Sequence, residues 1–361
     1  MLKNKLKGKT EFLISLPITE IQTQIYTAYV DYINSVKPED TTTTTLIGWL
    51  ADLLILCNHP QCFERRLQER LRDRANEKRS EAKGGYVLLC LQSLSSICLP
   101  GNLNADFERI DRFVNSDDEN EEVISDSKIP ETMTKKLLEM YDTVAQPLSS
   151  LSLSFKMQIL MQILELAEAI GDKTLVFSHS ILTLDYIESM LKNENKTFIR
   201  VDGETKTMDR QALTKVFNEL NDAKVCLIST KAGGIGLNMA GANRVVILDT
   251  HFSPMHEEQA IGRAYRLGQL KTVYVYRLML GGTFEEAMFN QSLFKQQLAT
   301  RVVDKKNPVR NAQKSVKQYI FRPRPSGPKD LNSHIGEDPD VLDKIISEGN
   351  RCVGCTGDYK A

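Results

Sequence analysis

Short apolar runs alternate with helical patterns along the second half of this chain, and that alternation limits the fold more than any other feature. Between the runs, apolar residues recur at helical spacing over segments of about ten residues. Strands that alternate with helices in this way are typical of βαβ units, whose strands pair in parallel. Residues 154–300 are therefore predicted to form one α/β domain, a parallel sheet flanked by helices. The predicted strands are Thr174–Ser178, Thr197–Val201, Val225–Ser229, Arg244–Leu248 and Val273–Arg277.

The N-terminal region predicts one further strand and one helix. Alternating apolar residues at Phe12, Ile14 and Leu16 predict the strand, and the spacing after Pro17 becomes that of an amphipathic helix. Thr19 and Gln22 lie three residues apart and offer a capping box at its start. The threonine run at 41–45 is predicted to be a low-complexity loop.

Two charged stretches follow. Residues 64–83 hold eight Lys or Arg and five acids with few apolar residues, which is typical of a solvent-exposed helix with i,i+4 charge pairs. Residues 108–126 hold eight acids and two arginines and predict a flexible insertion. For both stretches a disordered linker is the default interpretation, and a surface for a partner is the alternative.

Composition excludes several classes of protein. With 361 residues, of which 41% are hydrophobic, the chain can bury a sizeable core, so collagen-like, mucin-like and wholly disordered chains are excluded. The net charge is −1, so any nucleic acid must be bound through local patches. No apolar segment is long enough to span a membrane, and no secretory leader is visible.

Cysteine usage favours a reducing compartment, because the seven cysteines are odd in number and scattered along the chain. Cys352 and Cys355 form a CxxC pair, but a zinc site needs further ligands and no second pair follows. We therefore expect no metal site. Several prolines follow residue 308, and the tail that carries the pair is predicted to be an irregular, frayed extension.

One candidate binding segment follows the strand that ends at Ser229. Residues 230–238 contain Gly233, Gly234 and Gly236, which permit close approach of the backbone and can expose N–H groups to an anion. Ligands of parallel α/β sheets bind at this end of the strands. An ordinary glycine turn without a ligand is the alternative interpretation.

A second candidate is the arginine pair Arg263 and Arg266. The two residues are three apart on a predicted helix and share a face, where their guanidinium groups repel each other unless they face an anion. The planar guanidinium fork suits phosphate oxygens. A solvated basic face is the alternative. Gly8-Lys9-Thr10 ends like a phosphate-binding loop, but Lys3 stands where that motif needs glycine, and we reject it.

Three segments, taken in this order, resemble the second RecA-like lobe of Swi/Snf-type DNA-translocating ATPases. These enzymes are superfamily-two helicase relatives that remodel chromatin. The segments are Lys173–Ser180 (KTLVFSHS), Ile228–Asn238 (ISTKAGGIGLN) and Gln259–Gln269 (QAIGRAYRLGQ). Shorter stretches agree: Cys57–Pro60 (CNHP), Ser154–Leu160 (SFKMQIL) and Val201–Arg210 (VDGETKTMDR). Gly282-Thr283, Glu285-Glu286 and Arg301–Asp304 (RVVD) are similar to the ATRX-like branch, so the resemblance covers residues 11–305.

The resemblance implies a role for each motif. Arg263 and Arg266 would contact the γ-phosphate of ATP as arginine fingers, with Gln259 beside them. Gly233, Gly234, Gly236 and Asp249 would line the ATP cleft and couple it to DNA. The DNA backbone would be held by Ser178, His179, Ser229, Thr230 and Lys231. ATP and Mg²⁺ would be bound mainly by the first lobe of such an enzyme.

The sequence departs from the family in two places. Asp249 is followed by Thr250, His251 and Phe252, where family members usually show a tryptophan–asparagine pair. Almost all of the first lobe is also absent, so we expect a fragment, a truncated gene model, or a product that needs a first lobe in cis or in trans. The chain alone is predicted to be inactive.

The resemblance also implies an organisation and a cellular context. Residues 1–60 would be a junction between lobes, 61–150 a charged linker with an insertion, 151–305 the RecA-like lobe and 306–361 a basic tail. Nine Lys or Arg against one acid over 301–329 indicate either a solubilising tail or a brace onto DNA phosphates or histones. The expected partners are double-stranded DNA and nucleosomes, the expected location is the nucleus, and no membrane is expected.

Two other functions stay open at this point. A non-catalytic module that keeps DNA or protein contacts would equally lack a phosphate-binding loop. A mononucleotide-binding metabolic enzyme would share the α/β pattern, but it would have no salt-dependent affinity for DNA.

Overall fold

The computed structural model contains a seven-stranded sheet with the strand order β3-β4-β2-β5-β6-β1-β7. It describes residues 7–37, 41–82, 129–219, 222–233, 237–250, 254–303, 319–325, 335–347 and 354–356. All neighbouring strands pair in parallel except β7, which runs antiparallel to β1. The predicted α/β fold with a parallel sheet is therefore confirmed. The strands are β1 Lys9–Leu16, β2 Thr174–Ser178, β3 Phe198–Val201, β4 Val225–Ser229, β5 Arg244–Ile247, β6 Val273–Leu280 and β7 Gly354–Thr356.

Helices cover both faces of this sheet. Successive strand residues point to opposite faces, so Val176 joins one apolar core while its neighbours Leu175 and Phe177 join the other. The helices are α1 Glu20–Ser35, α2 Thr43–Asn58, α3 Pro60–Ala82, α4 Glu131–Tyr141, α5 Phe155–Ala169, α6 Ile181–Asn193, α7 Thr207–Glu219, α8 Thr230–Gly233, α9 Pro254–Ala264, α10 Phe284–Val303 and α11 Leu342–Ser347. The larger core lies under α1, α2, α5 and α6, and the smaller one lies under α7, α8 and α9.

The N-terminal region joins the sheet directly. β1 pairs with β6 along its whole length, from Lys9 opposite Val273 to Leu16 opposite Leu280. The capping box at the start of α1 has both of its expected hydrogen bonds, between Thr19 and Gln22. Apolar residues of β1, α1 and α2 therefore share one core with apolar residues of α5, α6 and β6.

The prediction of a loop at residues 41–45 is wrong. Helix α2 begins at Thr43, and the Thr42 hydroxyl caps it by accepting from the Thr45 amide (3.2 Å). Threonine is a favoured N-cap residue, and the apolar residues that follow anchor the helix in the core.

The first charged stretch is helical as far as Ala82, so the helix prediction is confirmed there and a disordered linker is excluded for residues 64–82. Arg70 forms a two-pronged ion pair with the buried Asp52 on α2 (2.7 Å for each nitrogen), and Tyr29 donates a hydrogen bond to the same carboxylate. A buried ion pair of this kind fixes the register between packed helices. The predicted acidic insertion at 108–126 lies outside the described residues.

The C-terminal tail is not wholly irregular, which corrects the prediction for residues beyond 308. Tyr319 and Ile320 are buried in the larger core, and the Arg324 amide donates to the Gly282 carbonyl (2.8 Å). We call residues 319–325 the strap. Gly282 adopts φ +73°, and a Cβ there would lie 1.9 Å from the Arg324 carbonyl oxygen, so only glycine fits beneath the strap.

Beyond the strap, the tail contacts the amino-terminal end of the central strand β5. Asp338 is fully buried, accepts from Arg244 at the start of β5 (3.1 Å) and caps α11 through the Leu342 amide. Residues Gly354–Thr356 then form the edge strand β7 beside β1, so Cys355 lies in the sheet rather than in a frayed tail. Cys352 lies outside the described residues. Among the helices that the structure describes, none is long and apolar enough to cross a membrane.

Candidate functional site

The glycine-containing segment and the arginine helix meet on one face of the sheet. β4 ends at Ser229 and passes directly into α8, which packs against α9. The Met239 amide, just after the glycine segment, donates to the Arg263 carbonyl (3.1 Å). The two predicted segments therefore lie side by side.

Arg263 lies on the last turn of α9, whereas Arg266 lies two residues beyond the end of that helix, so the predicted shared helix face is wrong for Arg266 because the chain turns at residues 265–268. Arg266 is exposed, and no hydrogen bond or ion pair joins its guanidinium to another residue of the described ranges. Arg263 is half-buried, and burial together with the positive charge of Arg266 lowers the pKa of its guanidinium. The pair thus forms a positive site that an anion would stabilise. Gln259, one turn earlier on α9, is exposed as well.

Ion pairs hold the beginning of α9. Arg277 on β6 binds Glu257, and it also binds Glu11 on β1 (3.1 Å) and Glu258 (3.3 Å). Burial alone would raise the pKa of Glu11, but Arg277 and Lys9 lower it. These contacts tie the start of the helix to the sheet.

Gln269 fixes the other end of α9. Its buried amide donates to the carbonyls of Ala264 (3.2 Å), Ala242 (2.6 Å) and Ala240 (3.1 Å), which joins the helix end to the loop before β5. Gly268 has φ +102°, a backbone conformation that favours glycine. The last two residues of the motif QAIGRAYRLGQ are therefore structural.

At the ends of β2 and β5 the structure brings Ser178, His179 and Asp249 together. The buried Asp249 carboxylate accepts from the Ser178 hydroxyl (2.6 Å) and from the His179 amide (2.6 Å). The Ser178 hydroxyl also accepts from the Ser180 amide (3.2 Å). The Ser178 side chain is thus engaged inside the protein, and it shapes the turn from which His179 extends.

Asn58, Lys156 and Glu285 lie beneath this turn, and sequence reasoning assigned them no role. Asn58 donates to Asp249, and its carbonyl accepts from the Lys156 ammonium (3.2 Å). Lys156 also binds Leu248 O (3.0 Å) and Glu285 (2.6 Å), and the side chains of Lys156 and Glu285 are both 0% exposed. Burial raises the pKa of Glu285, and the charge of Lys156 opposes that rise.

His59, beside Asn58, is also buried. Its Nδ1 accepts from the Gln61 amide (3.1 Å), so the proton lies on Nε2, which donates to the Ser150 carbonyl (3.1 Å). The ring stacks on Tyr186 at 4.0 Å. Burial lowers the pKa of His59 to about 4. The stretches CNHP and SFKMQIL were the available signal for these residues, but the resemblance alone did not say what they contact.

Of the remaining predicted site residues, some lie in the ranges that the structure describes and others lie outside them. Ser229 and Thr230 are buried at the β4–α8 corner, and Lys231 and Gly233 lie within α8. Gly234, Gly236, His251 and Phe252 lie outside the described residues. Across the part of the chain that the structure describes, no cluster of His, Cys, Asp or Glu could hold a metal ion.

Comparison with known proteins places these motifs in a family. Residues 155–268 match the model of the helicase conserved C-terminal domain, and that range contains every predicted site residue. Protein CHROMATIN REMODELING 20 of Arabidopsis thaliana is 42% identical over 46% of this chain and 12% of its own length. The Transcriptional regulator ATRX homolog of Drosophila melanogaster is 37% identical over 49% of this chain and 15% of its own. The chain contains a helicase conserved C-terminal domain and is similar in sequence to these two relatives.

Solved structures share the fold of this chain. The C-terminal part of the Fun30 ATPase domain aligns with a TM-score of 0.51 at 22% identity, over 80% of this chain and 90% of that one. The Sulfolobus solfataricus SWI2/SNF2 ATPase core in complex with dsDNA aligns with a TM-score of 0.50 at 22% identity, over 84% of this chain and 47% of that one. The chain spans less than a sixth of the two remodeller relatives named above.

Proposed function

We propose that this chain is the C-terminal lobe of a Snf2-type, ATP-dependent double-stranded-DNA translocase that remodels chromatin. In that enzyme it supplies Arg263 and Arg266 as arginine fingers to a nucleotide that the first lobe binds. The first lobe comes from the same polypeptide or from a separate chain. Closure of the two lobes around ATP would bring the guanidinium groups to the γ-phosphate.

The observation that carries this proposal is the arginine pair itself. Two like charges lie near each other, the half-buried Arg263 on the last turn of α9 and the exposed Arg266 two residues beyond its end, and ion pairs and Gln269 fix both ends of that helix. Holding two cations together costs free energy, which a bound anion offsets. A preorganised guanidinium pair is suited to the charge that develops on a transferring phosphoryl group.

The DNA-contacting role rests on a second region. Ser229, Thr230 and Lys231 stand where β4 passes into α8, and the turn at Ser178 and His179 follows the neighbouring strand β2. We assign both segments to the phosphate backbone of duplex DNA, because contacts of that kind carry no sequence information and suit a tracking motor. DNA binding as such is in line with the Sulfolobus solfataricus SWI2/SNF2 ATPase core, which was solved in complex with dsDNA. Asp249 would couple the turn at Ser178 and His179 to the proposed nucleotide site.

The cofactors and location follow from the same assignment. The residues present fit ATP through the guanidinium pair, whereas Mg²⁺ would be held mainly by the first lobe. Gly233, Gly234 and Gly236 would let the backbone approach the nucleotide. Nucleosomes are the proposed partner and the nucleus the proposed location, in line with the names of the ATRX and CHROMATIN REMODELING 20 relatives.

ATP hydrolysis by reconstituted lobes tests the proposal. We expect this chain alone to hydrolyse ATP no faster than buffer, and duplex DNA to stimulate hydrolysis once a first lobe with a phosphate-binding loop is added. We also expect DNA affinity to fall as salt is raised. Salt-dependent DNA affinity without hydrolysis in the mixture favours the non-catalytic module. The absence of DNA affinity in every combination contradicts both functions.

A further inference from the structure

Asn58 stands between a buried cation and a buried anion. It is the last residue of α2 and is 0% exposed. Its Nδ2 donates to Asp249 Oδ1 and to Thr183 Oγ1 (3.1 Å), while its Oδ1 accepts from Lys156 Nζ (3.2 Å). The side-chain amide therefore uses both of its functions within the protein interior.

Asparagine satisfies both neighbours at once. An amide offers one oxygen acceptor for the ammonium and N–H donors for the carboxylate. Aspartate at this position would suit Lys156, but it would place a second carboxylate beside Asp249, and two like charges at hydrogen-bond distance repel strongly when buried. An aliphatic residue would leave Asp249 and Lys156 each without one partner.

The Asp249 carboxylate connects Asn58 to the turn after β2. Its Oδ1 accepts from Asn58, and its Oδ2 accepts from the His179 amide and the Ser178 hydroxyl. Rotation of the carboxylate would therefore release the backbone of the turn. On the far side, Lys156 is held by Glu285 (2.6 Å), and Glu285 in turn accepts from the Leu280 amide at the end of β6 (2.8 Å).

We propose that Asn58 is a positioning residue for the turn at residues 178–180. It fixes the direction of the Asp249 carboxylate, and Asp249 fixes the backbone that presents His179. Lys156 and Glu285 hold the opposite side of the amide, so the carboxyl ends of β2, β5 and β6 are joined through one buried side chain. The consequence for DNA rests on the proposed function, whereas the structural link does not.

An exchange of the two side chains tests this inference. Asn58→Asp alone sets two carboxylates against each other, so we expect the amides of the 178–180 turn to exchange with deuterium at least about ten-fold faster, the scale of a lost bond to a charged acceptor. Asn58→Asp combined with Asp249→Asn keeps the net charge and permits every hydrogen bond again. We expect the double variant to recover slow exchange. Asn290→Asp, at an exposed site on α10, adds the same charge and should change nothing.

The readout is deuterium uptake of the peptide that spans the turn, measured on the full chain with its salt-dependent DNA affinity. We expect DNA affinity to fall with Asn58→Asp and to return in the double variant. Unchanged exchange in the single variant overturns the inference. If the single variant does not fold, the double variant decides. Fast deuterium exchange in the double variant, or its failure to fold, also overturns the inference. Absence of DNA affinity in the unchanged chain would contradict the proposed function, while the exchange data still decide the role of Asn58.

Discussion

Acidification should destabilise this lobe through His59. Burial lowers the pKa of His59 to about 4 in the folded protein, against 6.5 as its ordinary value. The unfolded chain therefore binds more protons between these two pH values. The contribution of His59 to the free energy of unfolding is fully present above pH 6.5 and is lost as the pH drops toward 4. From the two pKa values, protonation of the unfolded histidine removes about 2 kcal/mol at pH 5.0 and almost nothing at pH 7.5.

Urea unfolding at both pH values measures this loss. Other groups also titrate in this range, so the wild-type chain is compared with His59→Phe, which keeps an aromatic ring against Tyr186 and removes the proton site. The variant is expected to be less stable at pH 7.5, because the Gln61 amide and the Ser150 carbonyl lose their partner. The difference between variant and wild type should shrink by about 2 kcal/mol at pH 5.0. An equal difference at both pH values would show that His59 does not carry this pH dependence.

Two further substitutions test the buried network and the strap. Lys156→Met leaves Glu285 buried without its cation and should lower the free energy of unfolding by about 3–5 kcal/mol, whereas Lys192→Met at an exposed i,i+4 pair should cost less than about 1 kcal/mol. Equal losses in the two variants would contradict the network. Gly282→Ala should release the strap and speed its deuterium exchange, because the new Cβ meets the Arg324 carbonyl. Gly268→Ala shares the positive φ but meets open space, so a strap released equally by both variants would refute the steric explanation.

The strands of the lobe could be predicted from sequence because they are buried on both faces. Thr174–Ser178 and Val225–Ser229 are continuous apolar runs that end at polar turns, and the structure has both strands at the predicted bounds. β6 extends three residues beyond its predicted end, to Leu280, because pairing with β1 continues there. The position of β1 between β6 and β7 depends on long-range pairing, which local spacing does not contain.

The roles of single polar residues were harder to predict. Asp338 lies in a proline-containing, charged tail, so its sequence context suggests a solvent-exposed acid. Its partner Arg244 lies 94 residues earlier, and only the structure shows the two side by side. Asn58 and Lys156 were noticed only within longer motifs, because besides each other they contact α6, α10 and the residues after β5, which are far away in sequence. Arg263 and Arg266 could be singled out because like charges at helical spacing form a local pattern.

Turnover by a reconstituted enzyme with Arg266→Ala tests the central claim most directly. If this guanidinium completes a triphosphate site on the first lobe, DNA-stimulated hydrolysis should fall by about 10³-fold or more, while affinity for duplex DNA is retained. Arg72→Ala, at an exposed arginine on α3, should leave turnover unchanged. Full turnover by the Arg266→Ala enzyme, measured beside this control, would contradict the account.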